Sequence, residues 1–168
     1  MPILVSDTLV LTALKRALLL EDMFQLPFEF VVPDLLYTRE LAGEFGDQLV
    51  QLGLRVEVLT PNEVTCATTV RRNNAHLSVP DAFAFALAAT RRWALLAGEV
   101  SLRELAIADQ LELHRAPWLF DQLADHTDVG FEQLRAGLSV VAGYRHCDLP
   151  ANEVRRHLAR YAGPLRRG

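Results

Sequence analysis

The sequence predicts an α/β domain with a central, mostly parallel sheet and helices on both faces, three α/β/α layers extended by C-terminal helices. Three observations predict it. Short apolar runs alternate with helical stretches from the start to about residue 115, the pattern of repeated βα units. The first of these runs is apolar on both faces, as a strand covered on both sides requires. Beyond Pro117 the pattern is wholly helical. At 168 residues, 51% apolar and 23% charged, the chain is expected to form one domain, 1–168, with a real core.

Pro2–Ser6 reads as the first strand. Asp7-Thr8 ends it and opens a helix through Leu9, Leu11, Leu14, Leu18 and Leu19. Phe28–Val32 is a second strand, stopped by Pro33, and a single helix from Asp34 to about Gly53 carries Leu35, Leu36, Leu41, Phe45 and Leu49. Leu54–Leu59 alternates as a third strand, and Thr60-Pro61-Asn62-Glu63 starts the next helix with Pro in its first turn. Ser78-Val79-Pro80-Asp81 has the form of a capping box and opens an Ala/Phe-rich helix to about Arg92. Trp93–Leu96 is a short strand, Gly98 a turn, Ser101–Ile107 a brief helix and Leu111–His114 a last strand. Helices over Trp118–Ala124, Phe131–Ala142 and Pro150–Tyr161 complete the chain.

Composition excludes several classes. No apolar stretch approaches the roughly 20 residues of a membrane span, and the start meets Asp7 without a basic segment before it, so no membrane or secretory role is expected. Cys66 and Cys147 form neither a CxxC pair nor a disulfide framework, which suits a reducing cytoplasm. Residues 1–130 hold 10 basic and 18 acidic side chains, whereas 131–168 hold 7 and 3. An acidic body argues against a general nucleic-acid coat, although the basic end can reach phosphates or an acidic partner. Lys15 is the only lysine and no GxxxxGK[ST] surrounds it, so P-loop chemistry is out.

In parallel sheets ligands gather beyond the carboxyl ends of the strands. Asp7 follows the first strand directly, and Glu99 follows Trp93–Leu96. Glu40 lies two turns beyond the second strand, with Glu44 one turn further, and Asp81 is in the first turn of the Ala/Phe helix. Acids from four distant segments can therefore reach one sheet edge. Carboxylates that close repel unless a divalent cation neutralises them, and Mg²⁺ or Mn²⁺ prefers such oxygen ligands. Each acid also has a plainer role open to it: Asp7 and Asp81 as caps, Glu40 and Glu44 as a solvated face, Glu99 as a turn acid.

Ile3-Leu4-Val5-Ser6-Asp7-Thr8, Val32-Pro33-Asp34-Leu35-Leu36-Tyr37-Thr38-Arg39-Glu40-Leu41, Leu77-Ser78-Val79-Pro80-Asp81-Ala82-Phe83-Ala84-Phe85-Ala86-Leu87-Ala88 and Leu95-Leu96-Ala97-Gly98-Glu99-Val100-Ser101-Leu102 resemble the blocks of PIN domains in their usual order. The likeness covers about residues 3–115. It implies a metal-dependent endoribonuclease, with Asp7, Glu40, Asp81 and Glu99 as catalytic, metal-binding acids for Mg²⁺ or Mn²⁺, and with Thr8 and Ser101 supplying hydroxyls. It also implies RNA as substrate, a toxin's place in a toxin–antitoxin pair, an antitoxin protein as partner, and a homodimer. Ala97-Gly98-Glu99 departs from the family's usual T-G-D or T-N-D. That departure motivates an alternative: a catalytically weak or inactive PIN-like module that binds RNA or a protein.

The remaining residues carry less. His114, His126, His146 and His157 have no metal-ligand spacing. Cys66 reads as a small buried side chain and Cys147 as a tail residue without function. Trp118, Leu119, Phe120 and Leu123 make an apolar stripe, for core packing or for a partner. Arg155, Arg156 and Arg160 form a solvated face or a phosphate-contact patch.

Overall fold

The computed structural model describes residues 1–144 and 149–162. Five parallel strands, β1 (Ile3–Ser6), β2 (Glu29–Pro33), β3 (Arg55–Glu57), β4 (Ala94–Leu96) and β5 (Leu113–His114), lie in the order β3-β2-β1-β4-β5. Leu4, Val5, Phe30, Val31, Val32, Leu95 and Leu96 are buried, which explains why the central strands read as apolar runs.

The helices are α1 (Thr8–Arg16), α2 (Leu20–Met23), α3 (Asp34–Leu36), α4 (Glu44–Leu52), α5 (Pro61–Asn73), α6 (Val79–Arg91), α7 (Val100–Ala108), α8 (Ala116–His126), α9 (Phe131–Gly143) and α10 (Ala151–Tyr161). The β1–β2 connection crosses the sheet one way, while the β3–β4 and β4–β5 connections cross the other way. Right-handed crossovers therefore put their helices on opposite faces. α6 lies on β1, β2 and β4 and packs with α5 and α7. Across the sheet, α1 packs with α2 and α9, and α2 with α8, so the C-terminal helices thicken that layer. The α/β/α reading of the sequence is correct.

Two long helices of the sequence reading are broken in the structure. The first ends at Arg16, and Leu18 takes a left-handed conformation (φ 59°) with its side chain in solvent, while Leu19 turns into the core. The single helix expected over 34–53 is three pieces: α3, a π-turn over Tyr37–Leu41 closed by the Ala42 N–H on the Tyr37 carbonyl (2.8 Å), and α4. Gly43 separates the pieces at φ 121°, a conformation that favours glycine. The apolar spacing runs straight through these breaks, because both sides of each break still pack on one core.

The full capping box is at Thr60 and Glu63, not at Ser78. The Thr60 hydroxyl accepts the Glu63 N–H (3.2 Å), and the Glu63 carboxylate accepts the Thr60 N–H (2.8 Å). Arg91 adds a fork to Glu63, from Nε at 2.9 Å and from Nη2 at 3.0 Å, and the Thr90 hydroxyl donates at 2.8 Å. α5 and α6 are thereby tied at a buried carboxylate. The hydrogen bonds from Arg91, opposed by burial, hold the Glu63 carboxyl down at about 2, against an ordinary 4.5.

A depressed acid adds stability that is complete above its ordinary pKa and is lost as pH falls through the folded value. Glu63→Gln is expected to cost about 3 kcal/mol at pH 7, the free energy of that shift. It should also flatten the loss of stability between about pH 4.5 and 2. Urea unfolding of both proteins at pH 7 and pH 3 measures this.

Candidate functional site

The strand order turns back on itself between β1 and β4, where successive crossovers leave in opposite directions. The crevice beyond their carboxyl ends is where such sheets bind ligands. Asp7 occupies the end of β1. Its N–H donates to the Leu96 carbonyl of β4 (3.0 Å). Its carboxylate accepts three backbone donors: Val10 N–H on Oδ1 (2.9 Å), and Gly98 N–H (2.8 Å) and Glu99 N–H (3.0 Å) on Oδ2. Asp7 is thus the cap of α1 and also the anchor of the turn after β4. A carboxylate has about four acceptor positions, so capacity for a further partner remains. Gly98 belongs to this contact: a Cβ there would stand 2.9 Å from Leu9 Cδ2.

The other acids arrive from separate elements. Ser78 caps α6 by accepting the Asp81 N–H (3.2 Å), and the reciprocal half of the expected box is not formed. Asp81 therefore enters the cleft as a carboxylate rather than as a cap. Glu40 rides on the π-turn and accepts the Thr8 hydroxyl; single π-turns inside helices often mark functional sites. Glu99 stands at the N-terminus of α7 without a side-chain cap bond of its own.

Asp7, Glu40, Asp81 and Glu99 line one cleft of about 420 Å³, together with Thr8, Leu9, Thr12, His76, Ser78 and Tyr144. Glu44 does not line it, because the break at Gly43 starts α4 in a new direction. Ser101 does not line it either; in the first turn of α7, it lines a neighbouring depression. Sequence reasoning passed over His76, Thr12, Ser78 and Tyr144. Thr12 follows Thr8 by one turn and could have been found. His76 sits in an irregular connection and Tyr144 at the end of α9, where no local pattern points to the sheet edge.

Charge dominates the cleft, whose described lining has no Lys or Arg. Burial pushes the Asp7 carboxyl above its ordinary range against three N–H donors, and the Glu99 charge adds to the push. Asp81 is raised to about 7, first by burial and then by the charge of Asp7, with Glu40 and Glu99 adding to it.

A sequence model described as a PIN domain matches residues 3–139. The chain belongs to the PIN-domain family. No curated protein matches it. The PIN domain is a nuclease-type fold, and its members typically use divalent metals. The family match continues past residue 115 through α8 and most of α9.

Among the described residues, no three His, Cys, Asp or Glu side chains stand assembled as ligands around one point. The donor chemistry nonetheless fits a hard divalent ion. The set is all oxygen; burial first, and then the charge of Asp7, raise Asp81 to about 7, and that part of the cost which is repulsion is what a cation relieves.

The remaining candidates take structural roles. Leu119, Phe120 and Leu123 are buried, so the apolar stripe of α8 is core. Trp118 stacks on His114 at 3.8 Å between ring centroids. Arg160 pairs with Asp121 and Asp125, and His157 meets Asp121, which ties α10 to α8. Cys66 is only half-buried, where full burial was expected, and desolvation raises its thiol, as do Asp109 and Glu63. His146 and Cys147 lie outside the described residues. No helix among the described residues is long and apolar enough to cross a membrane.

An acid whose folded pKa is raised loses stability as pH climbs from its ordinary value through the folded one. For Asp81 that window is about 3.8 to 7. Asp81→Asn is expected to raise the Tm of the metal-free protein by about 5 °C at pH 8 and to leave it nearly unchanged near pH 4. Asp7→Ala should cost about 3 kcal/mol or more, since it strands three N–H donors; Asp7→Asn keeps one acceptor and should cost less. Thermal and urea unfolding without divalent ions check both.

Proposed function

We propose that this chain is a metal-dependent endoribonuclease that hydrolyses RNA phosphodiester bonds in the acid cleft. One observation carries the reading: carboxylates from four separate segments share one cleft at the strand-order reversal, where burial, with their mutual charge added to it, raises the proton affinity of Asp81. Caps and solvated faces have no reason to meet there. RNA as substrate, and the further role of a toxin held by an antitoxin and acting as a homodimer, rest on the family resemblance.

Asp7, Asp81 and Glu99 would hold Mg²⁺ or Mn²⁺, with Glu40 completing the set or positioning the attacking water. When bound, the ion supplies charge stabilisation at the phosphate and lowers the pKa of water. The protein's own part is orientation. Three N–H donors fix the Asp7 carboxylate against rotation, and the Thr8 hydroxyl steadies Glu40. The hydroxyl also bridges the end of β1 to the π-turn, so the two acids cannot drift apart independently.

The departure at Ala97-Gly98-Glu99 keeps one second reading, a weak or inactive module that binds RNA or a protein partner. Ala97 is fully buried and its N–H donates to the His114 carbonyl (3.1 Å). The hydroxyl usual in the family at this place is absent, while the backbone path is held by β5.

Calorimetric titration of Mn²⁺ into wild type and Asp7→Asn, with an RNA-cleavage gel on the same samples, separates the two. The nuclease reading expects wild type to bind and cut, and Asp7→Asn to lose more than about 100-fold in cleavage, beyond the loss typical of outer-shell changes. Wild type that takes up no Mn²⁺ at millimolar concentration and leaves RNA intact overturns it. Glu99→Asp tests the departure itself: a steep rise in cleavage marks an impaired native site, and a fall marks Glu99 as a working ligand.

A further inference from the structure

The acid cleft has a neighbour. A depression of about 230 Å³ lies beside it, lined by Asn74, His76, Leu77, Ser101, Glu104 and Leu105 among others. His76 lines both spaces, so the two adjoin at this residue. The depression is framed by the connection after α5 and by α7, the helix that follows Glu99. Its character differs from that of the cleft. Apolar side chains, Leu77 and Leu105, share the wall with an amide, a hydroxyl and a single carboxylate. The Asn74 amide is held in place by donating to the Val70 carbonyl (2.9 Å).

We infer that this depression is a subsite for one unpaired nucleobase of the strand whose phosphate occupies the acid cleft. The inference rests on the nuclease reading and names where that strand goes next. Three physical points support it. An unpaired base has apolar faces and a polar edge and stacks on aromatic or imidazole side chains, and the exposed His76 is shared by the two spaces. A phosphate would be repelled by Glu104, whereas a base carrying an exocyclic amine donates to it; carboxylates pair with the cytosine amine and asparagine with adenine in the same way. Ser101 accepts or donates to either edge. The subsite therefore favours an amino-bearing base over uracil beside the cut. It also gives Ser101 a place in recognition, one turn away from the acids.

The test uses wild type, Ser101→Ala and Glu104→Gln, each with Mn²⁺. Binding of short fluorescent RNA homopolymers is read by anisotropy, and cut sites are profiled on a single-stranded RNA of randomised sequence. Wild type is expected to bind oligo-A or oligo-C at least tenfold more tightly than oligo-U, and to cut beside an amino-bearing base. Glu104→Gln should reduce that discrimination about tenfold, the scale of one base-edge pair, and Ser101→Ala should reduce it less, with Mn²⁺ affinity held within about twofold in both. Variants that keep the wild-type preference and profile overturn the subsite while leaving the nuclease reading intact. A Glu104-dependent base preference without any cutting supports the subsite and overturns the nuclease reading. Wild type that binds no RNA at all overturns both.

Discussion

The Asp7 carboxylate is the interaction on which the rest depends. It is almost wholly buried, at 1% exposure, and a carboxylate is driven out of such places unless its charge is met. Here three backbone N–H groups meet it, from the first turn of α1 and from the turn that leads into α7. The two central strands of the sheet are thereby joined beyond their ends as well as along their length. Local capping and the joining of distant segments are one feature of this side chain, so its structural and chemical roles need not be traded against each other.

The same arrangement creates a difficulty. Bringing Asp81, Glu40 and Glu99 to the mouth of a buried carboxylate raises the free energy of every ionised form. The structure supplies no Lys or Arg along the described cleft to offset this. Instead, the basic side chains are engaged elsewhere: Arg91 on Glu57 and Glu63, Arg55 on Glu29 and Glu57, Arg160 on the acids of α8. The apolar core and the pair of Arg91 with the buried Glu63 hold the fold, while the described cleft keeps an uncompensated negative field. Functional sites commonly carry this kind of local cost.

How much of this could be read from the sequence follows from which rules are local. The layered α/β architecture was legible because buried parallel strands and helical apolar spacing are properties of short windows. Asp7, Asp81 and Glu99 were legible because each lies within a few residues of a strand end or a helix start. Glu40 against Glu44 could not be decided that way: the π-turn and the break at Gly43 decide it, and both are set by packing rather than by spacing. The capping pattern at Ser78 was half right for the same reason, since the competing use of the Asp81 carboxylate comes from three other segments. His76 and Tyr144 were illegible because nothing near them in the chain records that a loop and the end of α9 reach the sheet edge. Of the basic residues of α10, Arg160 meets the acids of α8, whereas Arg155 and Arg156 stay exposed.

A cleft built this way couples metal, proton and fold. With Asp81 raised to about 7, a proton and a divalent ion would compete for the same group around neutrality in the proposed nuclease. Affinity for the ion would then climb with pH while the metal-free protein becomes less stable over the same range. The opposite slopes have one origin, the burial of Asp81 among other carboxylates that the strand-order reversal brings together. Asp7 sits there with its position fixed by backbone donors, whereas Glu40, exposed on the π-turn, accepts the Thr8 hydroxyl. The cleft is thus anchored at the end of β1, and in the proposed nuclease an ion would find its deepest ligand already in place.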